Sequence, residues 1–172
     1  MITFIRPEIP EDHEAIRRLH VEAFETEGEA NLVETLRASE APCLSLVSES
    51  LDGTVVGHIF FSPMILSQVG PDLRLAGLAP MAVLPKYQRQ GIGTTLVEEG
   101  LVCCGEVGYA AVFALGHLDF YKRFRFVPAK AYGINSEYEV PAEMFMVREL
   151  RKGVLTAYSG TVQYHELFQG LG

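Results

Sequence analysis

The stretch Met81-Ala82-Val83-Leu84-Pro85-Lys86-Tyr87-Gln88-Arg89-Gln90-Gly91-Ile92-Gly93-Thr94 sets an apolar strand, a polar loop and two glycines ahead of a helix. The first turn of a helix has four unpartnered N–H groups and the positive end of the macrodipole, so it attracts anions, and glycine lets a phosphate approach the backbone. A pyrophosphate is the guest this chemistry suits. Two common phosphate motifs fail here. A dinucleotide fingerprint requires a third glycine where Leu96 stands, and a P-loop requires Gly-Lys-Ser/Thr where Ile92-Gly93-Thr94 stands. A lone Gly-x-Gly also has a plain structural reading, tight packing of helix on sheet, and the spacing alone leaves both open.

The elements that must position this loop follow from periodicity. Thr3 to Arg6 reads as a strand ended by Pro7, and Glu11 to Phe24 as a helix with Ile16, Leu19, Ala23 and Phe24 at helical spacing and Asp12 as N-cap. A second helix over Glu29 to Arg37 follows a turn near Gly28. Leu44 to Ser50 and Thr54 to Val69 read as strands joined by a two-residue Asp52-Gly53 hairpin turn, with an irregularity at Pro63 and a further turn at Gly70-Pro71-Asp72. Leu73 to Val83 is nearly unbroken apolar and suits a central strand buried on both faces. The helix after Gly91 runs to about Val107, with Ile92, Leu96, Gly100, Cys103 and Val107 on one stripe and Gly108 as its C-cap. Ala110 to Leu115 is a strand, Leu118 to Phe124 a short helix, Phe126-Val127 a strand start, and Met144 to Leu150 a final strand. The order is α+β in one domain spanning residues 1–172, with no internal boundary. The apolar tail, Val154 to Leu171, is expected to pack on its own domain or to join a homodimer interface, so the chain is a monomer or a homodimer.

Composition excludes several classes. Of 172 residues, 48% are apolar and 21% charged, a profile that rules out disorder and collagen. A chain of this size buries roughly 70% of its unfolded surface, so it needs no metal or disulfide to hold its core. Cys43 is isolated, Cys103 and Cys104 are adjacent, and no C-x-x-C pair exists, so neither a disulfide framework nor a metal site is expected. The start has no basic segment followed by an apolar run, and no stretch approaches a membrane span, so the expectation is a cytoplasmic protein without a membrane partner. The net charge of −8 argues against a nucleic-acid surface. Most of it lies in residues 1–50, which hold 4 basic and 11 acidic side chains.

The loop also carries a Gln/Arg-x-x-Gly-x-Gly/Ala signature at Gln88, Gly91 and Gly93, after a strand ending Val83-Leu84-Pro85. Leu115-Gly116-His117-Leu118-Asp119-Phe120-Tyr121-Lys122-Arg123-Phe124-Arg125-Phe126 looks like a strand end followed by Tyr-x-x-x-Gly-Phe, with Arg125 in the glycine position. Together these resemble the GNAT superfamily of N-acetyltransferases, over most of the chain from Phe4-Ile5-Arg6-Pro7 onward. Gly57-His58-Ile59-Phe60-Phe61-Ser62-Pro63 and Gly77 to Val83 are most similar to its bacterial YhbS-like branch.

The resemblance implies the single-domain acyl-CoA N-acyltransferase fold, a mixed sheet of about seven strands flanked by about four helices. It implies an acetyl-CoA-dependent N-acetyltransferase, without a metal, in which a primary amine of a small molecule or peptide attacks the thioester directly. Met81, Ala82 and Val83 would splay from their parallel neighbour to pair with pantetheine, Val83 N–H would face the thioester oxygen, and Gln88, Arg89, Gln90, Gly91, Ile92, Gly93 and Thr94 would hold the pyrophosphate. Tyr121, with an intrinsic pKa near 10, suits the acid that protonates the thiolate, or else it is an aromatic packed beside Phe120 and Phe124. The strand Leu73 to Val83 has no carboxylate after Arg74, which leaves the base open. His117, near 6.5 by type, is one candidate and otherwise a helix-entry residue. His58 faces either the acceptor or the core, and Glu25, Glu27 and Glu29 lie where the family admits its acceptor. The rival expectation is a non-catalytic acyl-CoA-binding sensor. O- or S-acyl transfer on the same scaffold is a third.

Overall fold

Strand β1 (Thr3–Pro7) pairs antiparallel with β2 (Leu44–Ser50), from Thr3↔Ser50 to Pro7↔Leu46, and β2 pairs antiparallel with β3 (Val55–Leu66) as far as Leu44↔Phe61. The computed structural model describes residues 2–39, 41–67, 69 and 73–164. The turn at Gly70-Pro71-Asp72 and the tail residues Leu167, Phe168 and Leu171 lie outside that set. Two compact units emerge: Met1–Phe61 with Ala79–Gly100, and Ser62–Leu78 with Leu101–Glu166. Strand β3, strand β4 (Leu75–Val83) and helix α3 (Ile92–Glu106) each run from one into the other along the chain.

In the first unit, α1 (His13–Phe24) buries Ile16, Leu19 and His20, and α2 (Gly28–Ala38) buries Ala30, Leu32, Val33 and Leu36. Asp12 does not cap α1 through its side chain. It accepts instead from Ile9 N–H at 2.8 Å and from both terminal nitrogens of Arg6 at 2.7 and 2.9 Å, and so locks the corner between β1 and α1. The left-handed residue between the helices is Glu25 (φ 60), and Gly28 opens α2. The β2–β3 turn holds three residues, because Ser50 N–H bonds Thr54 O at 2.9 Å around Leu51, Asp52 and a left-handed Gly53. Pro63 does not interrupt β3: it lies just past the end of the β2–β3 ladder, where no N–H is needed on that side.

Helix α3 packs close on β3. A Cβ at Gly100 would lie 2.5 Å from the Phe61 ring, and one at Gly57 would lie 3.0 Å from Ile92 and Leu96 side-chain carbons. The buried stripe differs from the expected one. Ile92, Leu96, Val97, Leu101 and Cys104 are buried, whereas Cys103 is half-buried and Val107 is exposed. The helix is apolar over much of its circumference, so spacing alone did not select among neighbouring stripes.

In the second unit β4 pairs parallel with β5 (Ala111–Leu115), from Leu75↔Ala111 to Leu78↔Ala114, and β5 pairs antiparallel with β8 (Phe145–Glu149). The short strand β6 (Val127–Pro128) joins β8. Strands β7 (Ile134–Ser136) and β9 (Gly160–Gln163), which periodicity did not reveal because both are short and polar, pair parallel with each other, and β9 pairs with Ile65 and Leu66 of β3. The tail therefore packs on its own chain as far as it is described, with Leu155 and Val162 fully buried. Helix α4 (Leu118–Tyr121) continues into a 3₁₀ turn, Lys122–Phe124. No helix among the described residues is long and apolar enough to cross a membrane.

The Gly100 contact generates a prediction. Gly100→Ala forces a methyl into the Phe61 ring, and the overpacking is expected to lower stability by about 1–3 kcal/mol in a urea titration despite alanine's better helix propensity.

Candidate active site

Strand β4 outlasts its parallel ladder. The ladder ends at Leu78↔Ala114, and β4 continues from Ala79 to Val83, with Pro80 offering no N–H to extend any ladder. Met81 and Val83 are half-buried and Ala82 is buried. After Val83 the chain turns through a 3₁₀ segment, Pro85–Tyr87, and the Gln88 side-chain amide donates back to Val83 O at 3.0 Å, tying the loop to the strand end.

From Arg89 the backbone curls. Arg89 (φ 62) and Gly91 (φ 85) are both left-handed, a geometry that turns successive N–H groups toward one concavity. The N–H groups of Arg89, Gln90, Gly91, Ile92 and Gly93 have no acceptor among the described residues, and Thr95 N–H bonds Gly91 O at 3.1 Å. Gln88 does not contribute to this row, because its N–H already donates to Pro85 O. Thr94 has an intramolecular partner of its own. The row lies at the head of a 15-residue helix; Arg89, Gln90 and Gly91 are exposed, Ile92 is buried and Gly93 half-buried, and exposed Lys86 lies just ahead of them. A Cβ added at Gly91 would meet nothing within 4 Å, so packing does not explain the glycine. Its left-handed φ and open space are what a phosphate cradle needs.

In the second unit, Tyr121 is 8% exposed, its ring edge-on to Phe120 at 5.0 Å and to Phe126 at 5.3 Å. A Cβ at Gly116 would lie 2.7 Å from the ring, so that glycine, unremarked in the sequence, makes room for it. Burial pushes the phenol up to about 12. Arg125, in the family's glycine position, adopts the left-handed φ of 63 itself, so the turn forms as it would with glycine. His117 is exposed at the head of α4, where its carbonyl accepts from Phe120 and Tyr121 N–H.

His58 lies inside the first unit, fully buried, rather than on a solvent-facing wall. Its Nδ1 is 2.7 Å from His20 Nε2, its Nε2 is 2.7 Å from Ser45 Oγ, and Ser45 donates a short hydrogen bond to the Glu8 carboxylate. Glu8 also accepts two bonds from Arg37, at 2.8 and 3.0 Å, and lies 2.9 Å from His13 Nε2. Burial alone would raise the Glu8 carboxyl, but His58, 3.8 Å away, together with the hydrogen bonds from Arg37 and Ser45, overrides it and holds the group far below the usual carboxylate range. Burial holds His20 down at about 3, with His58 and Arg37 adding to the effect, and burial also lowers His58. Periodicity does not reveal this cluster.

Of the acidic residues expected at the acceptor edge, Glu25 is exposed, Glu27 pairs with Arg17 at 3.4 Å, and Glu29 accepts from Thr26 at 3.0 Å. A groove of about 810 Å³ runs beside α1, lined by Glu11, Arg18, Glu22, Gly53 and Leu84 among others, and none of those three glutamates lines it. Among the described residues no cluster of His, Cys, Asp or Glu is arranged to hold a metal ion.

A strand that runs on past its parallel ladder into an N–H cradle is the architecture of an acyl-CoA-dependent transferase, and comparison with known proteins agrees. Residues 13–126 match the family model described as Acetyltransferase (GNAT) family. YhbS of Escherichia coli K12, an uncharacterised N-acetyltransferase, is 40% identical over 164 residues, covering 95% of this chain and 97% of that protein. The crystal structure of E. coli YhbS in complex with CoA matches with a TM-score of 0.93 at 38% identity, over 99% of this chain and 93% of that one. A GNAT family acetyltransferase from Brucella melitensis in complex with acetyl-CoA matches with a TM-score of 0.79 at 33% identity, over 97% and 98%. The chain belongs to the GNAT acetyltransferase family, and the mixed sheet and four α-helices among its described residues are that family's fold.

The buried histidines predict acid sensitivity. Unfolded, each ring takes its proton near pH 6.5, whereas folded His20 resists until about 3. The stabilisation is complete above pH 6.5 and is lost as pH falls toward 3, by at most about 1.4 kcal/mol per pH unit for each ring. Glu8, depressed in the fold, adds a further loss below its ordinary carboxylate range. Urea titrations from pH 7.5 to 4 should show stability falling from about pH 6.5 in the parent and less steeply in His20→Gln. A parent profile flat between pH 7 and 5 would contradict the assignment.

Proposed function

We propose that residues 1–172 work as one N-acetyltransferase domain that moves the acetyl group of acetyl-CoA to a primary amine of a small molecule or peptide. The observation that carries this is the row of N–H groups from Arg89 to Gly93 without acceptors among the described residues at the head of α3. Five donors in one curl match the oxygens of a pyrophosphate, and the bound CoA of E. coli YhbS and acetyl-CoA of the Brucella protein support the same ligand here.

Each remaining residue then has a task. Met81, Ala82 and Val83 present strand backbone to the pantetheine, and Val83 N–H serves as donor to the thioester oxygen as charge develops there. The amine attacks the carbonyl carbon directly, so no covalent enzyme intermediate forms. Tyr121 serves as the acid. A phenol pushed up to about 12 keeps its proton throughout the physiological range, so it meets the departing thiolate as a donor and never as a phenolate. His117 is exposed one turn away on the same helix and is available for a proton. Glu25, Glu27 and Glu29 give the α1–α2 junction a negative field that favours a cationic acceptor.

Calorimetric titration with acetyl-CoA, using NAD and ATP as controls, should give saturable binding to acetyl-CoA alone. Gly91→Val imposes a β-branched side chain on a left-handed backbone in open space, and should weaken that binding at least tenfold while leaving the fold intact. A panel of spermine, tyramine, lysine amide and a lysine-containing peptide then tests turnover. Tyr121→Phe is expected to keep acetyl-CoA affinity and to lose roughly 10²-fold in kcat, the usual scale for a missing general acid. Undiminished turnover would reject that role. Binding with no turnover on any amine would favour a non-catalytic acyl-CoA sensor.

A further inference from the structure

A second concavity lies wholly inside the second unit and shares no residue with the cradle at Arg89 to Gly93. It encloses about 210 Å³ beside strand β7 and the chain that leads into β8. Ile134 of β7 and Phe145 of β8, both buried, give it an apolar floor, and exposed Tyr138 adds an aromatic wall. Tyr138 N–H donates to Ser136 Oγ at 3.0 Å, a bond that turns the chain at the end of β7.

Two opposite charges line the same pocket. Lys130 stands on the 3₁₀ turn Ala129–Tyr132, and Glu139 on the segment between β7 and a second 3₁₀ turn, Ala142–Met144. Both are exposed, yet neither side chain makes an ion pair or a hydrogen bond among the described residues, with the other or with any third group. The Asn135 side-chain amide, also on the lining, is likewise without a partner among them. Elsewhere on the surface charges within reach do pair, as Lys122 does with Asp119 at 3.3 Å and Arg17 with Glu34 at 3.0 Å.

These features constrain a guest. The volume is below the roughly 300–1,000 Å³ of sites for drug-sized ligands, so the guest is small. The floor asks for an apolar group, the Lys130 ammonium for an anion and the Glu139 carboxylate for a cation. A simple acid would meet the repulsion of Glu139, a simple amine that of Lys130, and a hydrocarbon would strip water from both charges and return nothing. One small molecule that carries an anion, a cation and an apolar group on a single carbon satisfies all three demands: a free α-amino acid.

We propose that this pocket binds a free α-amino acid with an apolar side chain, its carboxylate on Lys130, its ammonium on Glu139 and its side chain over Ile134 and Phe145 beside the Tyr138 ring. The Asn135 amide, donor and acceptor at once, serves either charged group. Recognition is by the pair of charges over an apolar floor, since one exposed ion pair by itself contributes little. Binding requires no acetyl-CoA, so this proposal and the transferase reading stand or fall separately.

The test is calorimetric titration of the whole chain, without acetyl-CoA, with L-leucine and L-phenylalanine. Leucine without its ammonium (4-methylpentanoate), leucine without its carboxylate (3-methylbutylamine) and glycine serve as partial ligands. At least one of the two amino acids should bind saturably at or below about 1 mM, with every partial ligand at least about tenfold weaker. Lys130→Met and Glu139→Gln, both at exposed positions, should each weaken the amino acid at least about tenfold with the circular dichroism spectrum unchanged. Lys152→Met and Glu143→Gln, exposed changes of the same charge that do not line the pocket, should leave it unaltered. No saturable binding up to about 10 mM, a partial ligand that binds as well as the amino acid, or affinity unmoved by the Lys130 and Glu139 changes overturns the proposal and leaves acetyl-CoA binding untouched. With acetyl-CoA then added, mass spectrometry separates two roles that both uphold the site: an N-acetylated amino acid makes the guest the acceptor, and an unmodified one makes it a second ligand.

Discussion

A carboxylate inside a protein has to be surrounded by donors, and Glu8 draws them from four elements of its unit. Arg37 comes from α2, His13 from α1, Ser45 from β2 and, through Ser45, His58 from β3. Burying an unpaired charge costs several kcal/mol, and removing one partner of a buried pair typically costs about 3–5 kcal/mol. The two amino-terminal helices are therefore held on the first hairpin by directional bonds as well as by the packing of Ile16, Leu19 and Leu36. Apolar contact tolerates small shifts. A chain of hydrogen bonds does not, and it fixes His20 of α1 against His58 of β3.

The cradle at the head of α3 solves the opposite problem. There, backbone N–H groups are left without partners among the described residues. Three features keep them so: left-handed residues at Arg89 and Gly91 that turn the N–H groups outward, exposure of the loop, and the Gln88 amide that fastens it to Val83. Close contact of Gly100 with Phe61, and of Gly57 with Ile92 and Leu96, anchors the helix that supplies the dipole. The helix is held by packed apolar structure, and what it presents at its head is bare backbone.

Much of this was legible in the residues. Gln88, Gly91 and Gly93 mark the loop, and the order of strands and helices follows from periodicity and turn chemistry, because both are written in side chains a few positions apart. Boundaries failed where a local signal had two solutions. Cys104 rather than Cys103 is buried, the Asp52-Gly53 turn holds a third residue, and β7 and β9 were too short and polar to register. Asp12 looked like a cap because its type and position fit one, yet Arg6 and Ile9 N–H claim its carboxylate.

The sequence by itself determined the family, the fold class and the phosphate-sized loop, since each depends on backbone conformations that nearby residues impose. Only the tertiary structure decided what the polar side chains do. His20 and His58 lie 38 positions apart and meet because the pairing of β2 with β3 and the packing of α1 bring their rings within 2.7 Å. Whether a histidine is a ligand, a base or a core residue depends on the group at its other nitrogen, and that partner is chosen by strand register and helix docking rather than by its neighbours in the chain.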